Sequence, residues 1–191
     1  MAEGKIVVLL GSISDLAFAH RVKDFLRESR FPVKCIFRIN SAHRHTDKLL
    51  SDLKGFEQSE DNIVYITMAG LSDALSGVVA GNSKYPVIAC PPDLEKLGLP
   101  KMFSSMMMPQ GIAVSLVSSP ENAALLAVKI LALSNPSLTN RVVDCMNTLK
   151  SVVAKADADL LKKEEHERER EHIERIDHLE HGEHAEHAED T

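Results

Sequence analysis

The sequence predicts an α/β fold: a three-layer, doubly wound parallel sheet with helices on both faces and a long C-terminal helix. Three observations carry that expectation. Five short segments are rich in Val and Ile and mostly apolar without strict alternation, as in strands buried on both faces. Helical patterns separate them, so the strands are joined by crossovers and lie parallel. The length of 191 residues, 44% of them hydrophobic, suffices for one well-buried domain with little left for a second.

The first strand, 5–10, holds Ile6-Val7-Val8-Leu9-Leu10 and stops at Gly11. A helix over 14–29 follows, then a strand over 33–39, a helix over 45–57, a strand over 63–68, a helix over 72–82 and a strand over 86–90. A short helix precedes the fifth strand at 112–117. Pro120-Glu121 opens a helical stretch through 133, with proline at an early helical position and strong helix formers in Asn122-Ala123-Ala124-Leu125-Leu126-Ala127. Alanine on several faces predicts that this helix packs on the sheet and on another subunit. After Asn135-Pro136 a further helix, from about residue 137, runs into a charged tail. The arrangement is flavodoxin-like or Rossmann-like, with 1–160 as the globular domain and 161–191 as a His- and Glu-rich tail, helical or disordered.

The net charge of −6 belongs to that tail. Residues 162–191 hold 12 acidic and 5 basic side chains, the preceding 161 residues 16 and 17, so the body is nearly neutral. It has no basic stripe with interleaved aromatics, so nucleic acid is not an expected partner. No apolar run approaches the ~20 residues that span a bilayer, and residues 1–5 lack the succession of a signal peptide. A cytoplasmic, soluble protein with no membrane partner is expected. In the tail, Ile173, Ile176 and Leu179 give a thin apolar stripe, which reads as a solvated, fraying helix. A second reading takes His178, His181, His184 and His187, three apart, as a row that binds a transition metal or senses pH. Gly182 interrupts that helix, so any metal binding there is adventitious.

Cys35, Cys90 and Cys145 are odd in number and widely spaced, which indicates reduced thiols rather than disulfides or a zinc site. Cys90-Pro91-Pro92 follows a strand and reads either as a buried inert thiol or as a pocket wall. Met102 and Met106 to Met108 read as packing or subunit contact. The chain has no GxGxxG, Walker lysine loop or HExxH, so no cofactor and no metal site is expected.

Chemistry gathers at the strand ends. In Gly11-Ser12-Ile13-Ser14-Asp15, a serine followed three residues later by an acid is either a capping box or a ligand turn. In the second case Ser12 and the helix amides take a phosphate and Asp15 takes ribose hydroxyls. In Ser41-Ala42-His43-Arg44, an arginine beside a histidine after a buried strand favours function. Arg44 holds phosphate oxygens in a bidentate fork and His43 exchanges a proton near neutral pH, while His45, already in the next helix, is surface. The third strand ends in Ala69-Gly70-Leu71-Ser72-Asp73-Ala74-Leu75-Ser76-Gly77, a pocket wall or a turn capped by Ser72.

With these segments in hand, the chain resembles the phosphoribosylaminoimidazole carboxylase family (PurE) of purine biosynthesis over roughly residues 5–133. Gly11 to Asp15 resembles the family's GSxSD turn, Ser41 to Arg44 its SAHR or SAHK turn, and Asn122 to Ala127 its NAALLA helix. The family has two branches, a mutase acting on N5-carboxyaminoimidazole ribonucleotide and a direct carboxylase of aminoimidazole ribonucleotide (AIR). The mutase carries a histidine in an AHLPG-like segment. Residues 69–77 have none and are similar to the direct carboxylase's AGRSNALSG. This chain departs from that branch at Arg44, where lysine is usual, at Leu71 and Met107, where it has arginine, and at Asp73, where it has asparagine.

The resemblance implies AIR and CO2 as substrates, carboxylation without ATP, metal or cofactor, and a homo-octamer. It implies His43 as the catalytic proton carrier, with Ser12, Asp15, Ser41, Arg44, Gly70 and Ser72 binding substrate. Leu71, Ala74, Cys90 and Pro91 are the expected CO2 pocket, since CO2 needs a dry niche.

Overall fold

Five parallel strands in the order β2-β1-β3-β4-β5 form the sheet, and the chain runs β1 (Lys5–Leu10), α1 (Leu16–Glu28), β2 (Lys34–Ile39), α2 (Thr46–Phe56), β3 (Ile63–Met68), α3 (Ala74–Gly81), β4 (Val87–Ala89), α4 (Leu94–Met106), β5 (Ser115–Leu116), α5 (Pro120–Ala132) and α6 (Pro136–Glu186). The computed structural model describes residues 4–58, 61–92 and 94–186, without the side chains of 95 and 176–186. The chain divides into two units, Met1–Val143 and Asp144–Thr191. Sheet, α1 to α5 and the start of α6 belong to the first.

Every residue of β1, β3 and β4 is buried, as unbroken apolar runs require. β1 sits between β2 and β3, pairing Val7 with Ile36 on one side and with Tyr65 on the other. Val7 and Leu9 face a core closed by Leu49 and Leu53 of α2, Tyr65 of β3, and Leu75 and Val79 of α3. Alternation turns Ile6, Val8 and Leu10 to the opposite face. There α1 and α5 pack on each other and α5 on β3, with Ala123, Ala124, Ala127, Val128 and Leu131 buried. The alanines allow this close approach, and Ser119 starts α5 by accepting the Asn122 N–H at 3.2 Å ahead of Pro120.

Three expectations need correction. β2 is an edge strand, with Lys34, Arg38 and Ile39 exposed rather than buried on both faces. β5 shrinks from the expected 112–117 to two residues, because β4 offers it only Ile88 and Ala89 as partners. The helix of the tail passes through Gly182 and runs to Glu186. The histidine side chains expected to form a row, His178, His181, His184 and His187, lie outside the described residues, as do those of Ile176 and Leu179; Ile173 is exposed. Among the described residues no helix is long and apolar enough to cross a membrane.

Candidate active site

Chain order reverses at β1: β2 is laid on one side and β3 on the other, so the turns leaving β1 and β3 diverge and open a crevice at their carboxyl ends. Gly11 joins the first of these turns to the end of β3. Its N–H donates to the Met68 carbonyl at 2.8 Å, and a Cβ there would meet Ala69 Cβ at 3.4 Å. The cavity holds about 530 Å³ and is lined by three turns, 11–15, 41–44 and 69–72, with Leu75 at its base. Ser12, Asp15, Ser41, His43, Arg44, Gly70, Leu71 and Ser72, singled out from sequence, all line it.

On the first turn both readings of Ser12 and Asp15 coexist. The Ser14 N–H donates to Ser12 Oγ at 3.3 Å and the Ser12 N–H to Asp15 Oδ2 at 3.0 Å, a reciprocal cap over one turn of 3-10 helix at Ile13–Asp15. Asp15 is nonetheless part of the cavity wall, 5% exposed, with one oxygen committed to the Ser12 amide. On the second turn, Ser41 Oγ accepts the Arg44 N–H at 3.2 Å, and Thr46 Oγ1 donates to the Ala42 carbonyl at 2.5 Å. These bonds fix the backbone while the His43 and Arg44 side chains stay exposed. His45 is also exposed, but it stands at the N-cap position of α2, with no side-chain capping bond, instead of lying within the helix. A cation, an imidazole and a buried carboxylate thus line one cavity together with serine hydroxyls, a set able to bind an anion and to exchange a proton.

The third turn is built differently from the expectation. Asp73, not Ser72, caps α3, accepting the Ser76 N–H at 3.1 Å. It is 3% exposed and also accepts Ser76 Oγ at 2.7 Å and Ser105 Oγ at 2.5 Å, while its own N–H donates to Ser104 Oγ at 2.7 Å. Beside it lies Lys101, also 3% exposed, which donates from Nζ to the Leu71 carbonyl. Burial pulls the Lys101 pKa down, and the carboxylates of Asp73 and then Asp15 pull it back up. Lys101, Ser104 and Ser105 come from α4, which bends at Gly98 (φ 61°) ahead of Pro100. Lys101 is not among the residues singled out from sequence; the one available signal was a lysine alone among apolar residues in Leu97 to Phe103.

The rest of the expected CO2 pocket is not brought here. Ala74 starts α3 without lining the cavity, and Cys90 is fully buried at the end of β4, where burial pushes its thiol up to about 12. Pro91 lines a second cavity of about 540 Å³ with Phe18, Arg21, Leu94, Lys96, Ser118 and Ser119. Arg21 is engaged there by Glu121, in a pair 2.7 Å long. Of the residues at which the chain departs from the direct carboxylases, Leu71 and Arg44 line the first cavity, Asp73 is sealed beneath it, and Met107 is exposed outside it.

The family model describing AIR carboxylase matches residues 5–151. A phosphoribosylaminoimidazole carboxylase of Archaeoglobus fulgidus is 39% identical over 156 residues, 82% of this chain and 84% of that protein. An N5-carboxyaminoimidazole ribonucleotide mutase of Methanocaldococcus jannaschii is 37% identical over 154 residues, 80% of this chain and 94% of that protein. The crystal structure of Treponema denticola PurE superimposes with a TM-score of 0.78 at 35% identity, covering 83% of this chain and 99% of that one.

Proposed function

The chain belongs to the AIR carboxylase family of purine biosynthesis, and from that premise we propose that it carboxylates AIR with CO2 to 4-carboxy-5-aminoimidazole ribonucleotide (CAIR), without ATP. Relatives carry both the carboxylase and the mutase name, so the choice rests on one observation. The wall formed by 69–72, followed by Asp73 to Gly77, contains no histidine, the residue expected there of the mutase branch.

The ring carbon next to the exocyclic amine of AIR is enamine-like. It attacks the carbon of CO2, a C–C bond forms, and one C=O electron pair moves onto oxygen to give the carboxylate. His43 takes the proton left on that ring carbon and passes it to solvent, to which its side chain is open. Ser12, Ser41 and Arg44 hold the phosphate, Asp15 the ribose, and Gly70 and Ser72 the base and new carboxylate. The buried Ala69 and Leu75, with the exposed Leu71 beside them, supply the apolar surface against which CO2 rests. A homo-oligomer in the cytoplasm is the form in which we expect it to work.

The test is to mix the protein with AIR and bicarbonate, without ATP, and follow CAIR. Activity only with the N5-carboxylated nucleotide transfers the protein to the mutase branch; calorimetric AIR binding with no turnover on either makes it a silent nucleotide-binding relative. His43→Asn is expected to lower kcat by at least ~100-fold while AIR still binds. Unchanged turnover in that variant removes His43 from the proton step.

A further inference from the structure

We propose that Lys101 is a positioning residue of this site: its buried ammonium holds the Leu71 carbonyl inward and thereby aims the Ser72 N–H at the carboxylate formed on the substrate. The inference rests on the carboxylation reading for its substrate and on the structure for its geometry. In a trans peptide the C=O and the following N–H lie in one plane and point in opposite directions. Lys101 lies beneath the turn, 3% exposed, whereas Leu71 and Ser72 face the cavity and are exposed. Drawing the carbonyl down onto the ammonium therefore turns the Ser72 amide outward, toward the ligand.

A buried lysine needs such a setting. Asp73 and Asp15 supply the counter-charge, and Asp73 is itself fixed by Ser76 and Ser105. Leu71 brings no cation of its own to this wall. A fixed amide dipole held from behind by a cation provides the positive potential that a new anion needs, without exposing a long, mobile side chain.

AIR itself lacks the carboxylate, so the amide contributes only as the C–C bond forms. Lys101 should accordingly act on kcat and on CAIR affinity, and leave the KM for AIR alone. Because Lys101→Met alone strands two buried carboxylates, the decisive protein is the double variant Lys101→Met/Asp73→Asn, which removes a cation and an anion together and keeps an acceptor to cap α3. Expected is a kcat lower by on the order of 10-fold or more, the loss of one hydrogen bond to a charged group, with CAIR bound more weakly by a similar factor and the KM for AIR within about twofold. Hydrogen exchange of the amide at position 73, which Ser104 Oγ holds, read on the wild type and the double variant without ligand, should quicken in the variant while β1 and β3 amides keep their protection. That measurement stands even if the protein does not turn AIR over, so failure of the carboxylase reading is separable from failure of this one. Unchanged exchange at position 73, or a raised KM for AIR at constant kcat, overturns the role assigned to Lys101.

Discussion

Asp73→Ala is the substitution that most sharply separates the architecture of this site from its chemistry. Asp73 is buried, accepts from Ser76 N–H, Ser76 Oγ and Ser105 Oγ, and neighbours Lys101. Losing the cap on α3 costs about 1 kcal/mol. Ser105, 1% exposed, loses its acceptor, worth about 1–2 kcal/mol for an orphaned hydroxyl. Ser76 retains Thr67 Oγ1 at 2.7 Å, so it adds little. Lys101 makes no ion pair with Asp73 and keeps its bond to the Leu71 carbonyl, so no pair term is added. The variant should therefore lose about 2–3 kcal/mol, and Asp73→Asn, which keeps the capping oxygen, about 1. Urea unfolding at fixed chain concentration reads both, with the m-value as the check that the end states are unchanged. Ser72→Ala, one residue away but exposed, should stay within about 0.5 kcal/mol. A loss below about 1 kcal/mol for Asp73→Ala at constant m would refute this account of the turn.

Arg44→Ala, exposed and outside the core, should leave stability intact and raise the KM for AIR on the order of 10- to 100-fold, the range for losing charge-assisted phosphate bonds; steady-state kinetics with an unchanged KM would take Arg44 off the phosphate. Gly55 lies exposed in α2, and nothing stands within 4 Å of where a Cβ would go, so Gly55→Ala should stabilise the fold by about 0.5–1 kcal/mol in the same urea assay. Lys48, donating at 2.5 Å, and Asn40, at 3.1 Å, hold the Asp52 carboxyl below its usual 3.8. Its contribution is then complete above pH ~4 and fades as the pH falls through the lower folded value; with Lys48 42% exposed and screened, it amounts to roughly 0.3–0.5 kcal/mol. Asp52→Asn should flatten that part of the acid limb in a pH series of unfolding midpoints, and an unaltered limb would contradict the assignment.

The strands at 5–10 and 63–68 were legible to the residue because an apolar run buried on both faces is ended by its own composition. The fifth was not, because the length of a strand also depends on its neighbour, and β4 gives it two partners. Ser12, Asp15, His43 and Arg44 could be placed in one cavity from sequence because polar side chains at strand ends converge wherever the chain order reverses. Cys90 and Pro91 also follow a strand, yet β4 stands one place further from the reversal, so Cys90 goes into the core and Pro91 to a different cavity. Lys101 was out of reach for another reason. A lysine reads as solvent-facing until the fold brings two carboxylates and a carbonyl over it, and that depends on a bend at Gly98 which no periodicity records.

The two borders of the sheet bear on how this protein behaves when crowded. An open strand border displays unpaired N–H and C=O groups and invites a neighbouring chain to extend the sheet. At β2 the exposed cations Lys34 and Arg38 stand along that border, with Lys23 over Phe37 and Arg38 over Phe56 shielding the aromatic rings. At β5 the border is two residues long, too short to template a partner strand. Edge-to-edge aggregation is thus discouraged at one border by charge and at the other by brevity, and replacing Lys34 and Arg38 by Val would remove the first of these safeguards without touching a residue that lines the cavity.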